Sequence, residues 1–165
     1  MTENELKQIL NGEAGIYINS IKIDGLREFV KDSLLKYGNT NSLLEANRVI
    51  ELLEKMLIKK KQIVNSIEQS FVEVLKVAAL VHNLFFDGSI TSLFMAREKL
   101  MPIAKEHKIP DNYINSIFQA VECQLGEDTP VPQCKPIPGT PMELFSWSCW
   151  YIEELYGNKK CLKED

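Results

Sequence analysis

The chain predicts an all-α fold. Apolar residues recur at helical spacing through most of its length, three capping-box signatures mark helix starts, and regular two-residue alternation is read only near the beginning. Residues 1–24 are expected to form a short N-terminal extended arm. Residues 25–165 are expected to form a helical bundle that carries a proline-rich lid loop.

The arm is read from Gly15–Asp24, GIYINSIKID, whose apolar and polar residues alternate as in a strand or hairpin. Leu26–Tyr37 then has Leu26, Phe29, Val30 and Leu34 on one helical face and stops before Gly38, a natural C-cap. The next helix is predicted to open with the box Ser42-Leu-Leu-Glu45 and to run to about Lys60, burying Val49, Leu52, Leu53, Met56 and Leu57. The basic run Lys59-Lys60-Lys61 suits a solvated helix end, where cations meet the negative pole of the helix. A second box, Ser70-Phe-Val-Glu73, introduces a helix ending at His82-Asn83, and Asp87-Gly88 breaks it. Thr91–His107 is predicted to be a helix kinked at Pro102, and Pro110–Leu125 another with its proline in the first turn. The segment 126–140, GEDTPVPQCKPIPGT, holds four of the seven prolines, which stiffen it and favour a lid over a flexible linker. A third box, Thr140-Pro-Met-Glu143, opens the last helix, which carries Trp147, Trp150 and Tyr151 and ends at Gly157.

Composition narrows the class. Of 165 residues, 45% are apolar and 25% charged, the balance of a folded globular chain rather than a disordered one. A net charge of −4 argues against a nucleic-acid partner, which calls for a basic face. No run of about 18 apolar residues exists, so no membrane partner is expected. The opening MTENELKQIL lacks the apolar core of a secretory leader, and the four cysteines show no CxxC pair. Free thiols in a reducing cytoplasm are therefore expected. Neither the cysteines nor the two histidines have zinc-ligand spacing.

The chemistry concentrates in Val77–Asp87, VAALVHNLFFD, where an apolar helix ends on a histidine beside an amide. Together with SLLEANRV at 42–49, INSIFQAVECQ at 114–124 and ELFSWSCWYIEEL at 143–155, it resembles the HD-domain phosphohydrolases. In that family adjacent histidine and aspartate residues hold a divalent metal with ligands from neighbouring helices, and the metal activates water against a phosphoester. Carried over to this chain, the resemblance implies a degenerate site. Glu45 stands where the family has its first histidine, Asn83 replaces the central aspartate, Gln124 replaces a later histidine, and the final aspartate falls at or near Cys149. Only His82 keeps its identity, and an asparagine amide brings no charge to offset a dication. No metal and no other cofactor is expected.

Glu45, His82, Asn83 and Gln124 are expected to converge between helices, either satisfying one another or holding a polar ligand. Arg48, one turn from Glu45, could grip a phosphate, or else pair with Glu51 or Glu54. Asp87 is read as a ligand contact or as a cap on the helix break, and Lys135 as a phosphate contact from the lid. Trp147 offers a stacking face for a base or packs in the core. His107 is read as a surface histidine at a helix C-terminus.

The expected function is non-catalytic: an HD-like protein that binds and sequesters a nucleotide-derived small molecule. It is similar in style to small HD-like proteins of phages of Gram-positive bacteria. A role in the host cytoplasm would be an anti-defence sponge for a cyclic or ADP-ribose-type signal. The alternative is an atypical phosphohydrolase in which Glu45 and His82 hold manganese. A third reading is a homo-oligomer paired edge to edge through the arm.

Overall fold

The computed structural model describes residues 1–59, 69–85 and 90–122, together with Phe145, Ser148 and Cys149. Every regular element among them is helical. The helices are α1 (Glu3–Leu10), α2 (Ile16–Asn19), α3 (Leu26–Tyr37), α4 (Thr40–Lys59), α5 (Gln69–Val81), α6 (Ile90–Glu106) and α7 (Asp111–Glu122), with one 3-10 turn at Glu13–Gly15. No described helix is long and apolar enough to cross a membrane.

Helix α5 is the centre of the fold and packs against α3, α4 and α7. Its sequence explains why. From Glu73 to Val81 all residues but Lys76 are buried, so it is apolar around nearly its whole circumference, as a helix enclosed by others must be. Phe29 and Leu34 of α3, Leu43, Ile50 and Leu53 of α4, and Ile117 and Phe118 of α7 complete the core. The helical, buried Phe145 and Cys149 join the same cluster. Pro102 lies inside α6, as expected.

The N-terminal segment differs from the expectation: it is helical, not extended. Gly15–Asp24 forms the end of the 3-10 turn, α2 and an irregular turn. A strand there would need a partner for its backbone groups. The turn instead satisfies them locally and through side chains. Ser20 N donates to Ile16 O (3.1 Å) and Ile21 N to Ile18 O (3.2 Å). The Arg27 guanidinium donates to the carbonyls of Asn19 (3.1 Å) and Ile21 (2.7 Å). Ile18 and Ile21, three apart, are buried while Ile16 is exposed, the spacing of a helical turn rather than of a pleat. Leu6, Ile18 and Ile21 belong to the common core, so residues 1–24 pack as part of the bundle and offer no strand edge for pairing between chains. The Tyr17 hydroxyl hydrogen-bonds Glu54 of α4; burial, then the Glu54 charge, push its pKa up to about 12. Glu54 also pairs with Lys76 of α5 at 2.9 Å.

Two of the expected boxes are read differently by the fold. Helix α4 begins at Thr40, and the reciprocal box is Asn39 with Ser42. Ser42 N donates to Asn39 Oδ1 (2.8 Å) and Asn39 N donates to Ser42 Oγ (3.1 Å). Glu45 is thereby placed beyond the capping turn. On α5, Glu73 Oε1 accepts from the backbone N–H groups of Lys22 (2.8 Å) and Ile23 (2.6 Å), closing the turn between α2 and α3.

The helix ends use two further devices. Gly38 follows α3 with φ −91°, outside the left-handed region, and its smallness matters because a Cβ there would lie 2.7 Å from Leu34 Cδ2. Helix α6 ends in a Schellman motif: Ile109 N donates to Ala104 O (3.2 Å) and Lys108 N to Lys105 O (3.1 Å). The left-handed position is taken by Lys108, φ 56°, where glycine is usual. His107, expected at the surface, is half-buried with Nε2 2.5 Å from Asp32 Oδ2 of α3. Arg97 of α6 grips Glu122 of α7 through two hydrogen bonds (2.7 and 2.9 Å) and lies over the Phe118 ring.

Candidate functional site

The turn that follows α5 faces the first turns of α4, and three of the expected site residues meet there. Val81 is the last helical residue, so His82 and Asn83 leave the helix axis in the turn 82–85. Phe85 anchors that turn against Tyr37 at the end of α3, with ring centroids 4.8 Å apart. The connection from α3 to α4 is short, so the start of α4 lies beside the same place.

The Asn83 amide is the link. Its Nδ2 donates to Ser42 O (2.9 Å) and to Glu45 Oε2 (3.2 Å). Both neighbours are acceptors only, which determines that the NH2 faces them and that Oδ1 faces away. Asn83 Oδ1 is itself buried and has no hydrogen-bond partner among the described residues.

His82 is 4% exposed, so its charge state is set by its surroundings. Burial lowers its pKa, opposed by its hydrogen bond to Ala79 and by the Glu45 charge. The ring is therefore neutral at neutral pH. Nδ1 lies 2.5 Å from Ala79 O, a carbonyl that can only accept, so Nδ1 carries the proton and Nε2 is the ring's acceptor. Phe145 meets the ring edge-on at a centroid distance of 6.4 Å.

Glu45 and Asn83 thus meet, and the Glu45 charge acts on the His82 ring; Gln124, expected with them, lies outside the described residues. Arg48 is exposed, one turn along α4 from Glu45. Glu51 pairs with Lys55 (3.3 Å) and Glu54 with Lys76. Asp87, Gln124, Lys135 and Trp147 lie outside the described residues, as do the loop 126–140 read as a lid, Trp150 and Tyr151. Cys149, at or near which the resemblance puts a last aspartate, is buried in the core.

Three participants were not anticipated: the Ser42 carbonyl, the Ala79 carbonyl and the Phe145 ring. Backbone carbonyls leave no trace in residue identity. Phe145 could have been found, because it lies two residues before Trp147 on the same predicted aromatic helix.

Among the described residues the cluster offers one carboxylate, one neutral imidazole and one amide. The space between Asn83 and Glu45 is filled by an N–H···O hydrogen bond, and no group of three or more His, Cys, Asp or Glu among the described residues could hold a metal ion. What the cluster can do is accept hydrogen bonds.

Compared with models of known protein families, with curated proteins and with solved structures, the chain matches none.

Proposed function

We propose that this chain binds a nucleotide-derived small molecule between the first turns of α4 and the turn after α5, and holds it without turnover. The observation that carries this reading is the buried Asn83 Oδ1, unpartnered among the described residues beside a neutral histidine and a carboxylate. A buried acceptor without a donor costs about 1–3 kcal/mol, and a ligand that supplies the donor recovers it. The resemblance to HD domains supports the ligand class, nucleotides, with an amide at Asn83 where that family has a metal-binding aspartate. A sponge for a cyclic or ADP-ribose-type immune signal, encoded by a phage of Gram-positive bacteria, is the biological role that agrees with such a pocket.

Calorimetric titration of the full chain with a panel of cyclic and ADP-ribose-type nucleotides tests the reading. Micromolar or tighter binding that is lost in Asn83→Leu supports it; a panel without heat removes it. The alternative, a manganese-dependent phosphohydrolase, asks Glu45 and His82 to share an ion while the Asn83 amide occupies one face of Glu45. Stoichiometric manganese in the purified protein, with phosphate release, would favour it.

A further inference from the structure

We infer that the ligand presents adjacent hydrogen-bond donors to Glu45, Asn83 and His82, as the N1–H and N2-amino edge of guanine does. This rests on the reading above and narrows its ligand class to cyclic nucleotides that carry a guanine-type edge, setting aside the ADP-ribose type, whose base is adenine.

Each of the three side chains has few hydrogen-bonding groups left to offer. Asn83 has spent both amide hydrogens, on Ser42 O and Glu45 Oε2, and retains Oδ1, an acceptor. Glu45 is a carboxylate with about four lone-pair sites. One of them is used by Asn83, so it too is an acceptor. His82 gives its only ring hydrogen to Ala79 O and retains Nε2, an acceptor. Burial keeps a second proton off the ring. Among the described residues, these three side chains therefore have only acceptors left to offer.

A phosphate is the wrong partner for such a surface, since oxygen anions are acceptors too. The bases separate by the same count. Adenine and cytosine place a ring acceptor next to their amino group, and hypoxanthine has one ring N–H beside a carbonyl. Guanine alone places a ring N–H beside an amino group, matching the two oxygens of a carboxylate, with a further amino hydrogen for a neighbouring acceptor. A carboxylate facing an acceptor-bearing edge would leave groups unmatched out of water, which is costly.

The test uses the full chain, dialysed free of small molecules into buffer containing EDTA, and calorimetric titration with GMP, IMP and AMP. IMP differs from GMP by the 2-amino group alone. GMP is expected to bind about 10- to 100-fold more tightly than IMP, the factor for one unmatched buried acceptor, and AMP more weakly than GMP by at least as much. Glu45→Gln replaces two acceptors by a donor and an acceptor, the complement of adenine's edge, and is expected to shift the preference from GMP towards AMP. The wild-type ratio of GMP to IMP decides the matter even if Glu45→Gln fails to fold. Equal affinity for GMP and IMP, or a GMP preference unchanged in folded Glu45→Gln, overturns the inference. If all three bind equally and Asn83→Leu weakens them all, the guanine edge is wrong while the pocket stands. If binding appears only without EDTA, a cation takes the place assigned to the donors. If no nucleotide binds, the pocket reading falls with it.

Discussion

Asn83 and Glu45, 38 residues apart in the chain, meet amide to carboxylate at 3.2 Å, and the same amide reaches Ser42 O at 2.9 Å. One side chain thereby ties the turn after α5 to the first turns of α4. Asn83→Asp, which would restore the aspartate of the resembled family, sets a second carboxylate against Glu45 and the Ser42 carbonyl. Like charges and lost donors should destabilise the protein by about 1–3 kcal/mol at neutral pH. The loss should shrink as the pH falls far enough to protonate one of the two acids. Chemical denaturation at neutral and at acid pH measures both; a variant as stable as the parent at neutral pH would contradict the arrangement.

Glu73 is 9% exposed, and its carboxylate serves two backbone N–H groups of the turn between α2 and α3. Glu73→Ala leaves both donors without it and should cost about 2–4 kcal/mol. Hydrogen exchange at Lys22 and Ile23 should accelerate well before the core of α5 opens. Uniform acceleration across all helices would show that Glu73 does not act on that turn.

Lys108 occupies a left-handed position, φ 56°, which costs a side-chain-bearing residue about 1 kcal/mol. Lys108→Gly should therefore raise stability by about 0.5–1 kcal/mol, read as a higher denaturation midpoint with an unchanged denaturant slope. A lower midpoint would mean that the lysine side chain contributes more than the backbone strain removes.

His82 has a folded-state pKa below the ordinary value of 6.5. The unfolded chain therefore takes up a proton that the folded chain refuses, and stability falls as the pH drops below about 6.5. The slope from this residue approaches about 1.4 kcal/mol per pH unit between the two pKa values. Comparing stability of the parent and His82→Gln across that window isolates the effect, because every other group is common to both. Parallel curves would mean that folding leaves the His82 pKa where it is in the unfolded chain.

Much of the helical framework was legible in the sequence, and the reasons lie in local rules. Leu26–Tyr37 is a helix end to end because its apolar spacing and the glycine after it agree. Glu45 and Asn83 were set near one another only through the resemblance to another family, and the structure places their side chains 3.2 Å apart. The failures come where side chains far apart decide the backbone. Gly15–Asp24 alternates like a strand, yet Arg27 and Glu73 supply its hydrogen bonds and it coils into turns. Ser42 looked like a cap and is instead the third residue of a helix capped by Asn39, whose short side chain exchanges hydrogen bonds with it although the pair lacks the usual Glu or Gln. Lys108 in a glycine's place gave no signal, because residue identity there argues against the conformation adopted.

The central claim is that the acceptors around Asn83 hold a small molecule. Its most direct test is mass spectrometry of the small molecules released when the protein, purified natively from cells with active nucleotide signalling, is denatured. A nucleotide released in near-stoichiometric amount from the parent and absent from folded Asn83→Leu is the predicted result. The same compounds from both proteins, or none from either, would contradict the account.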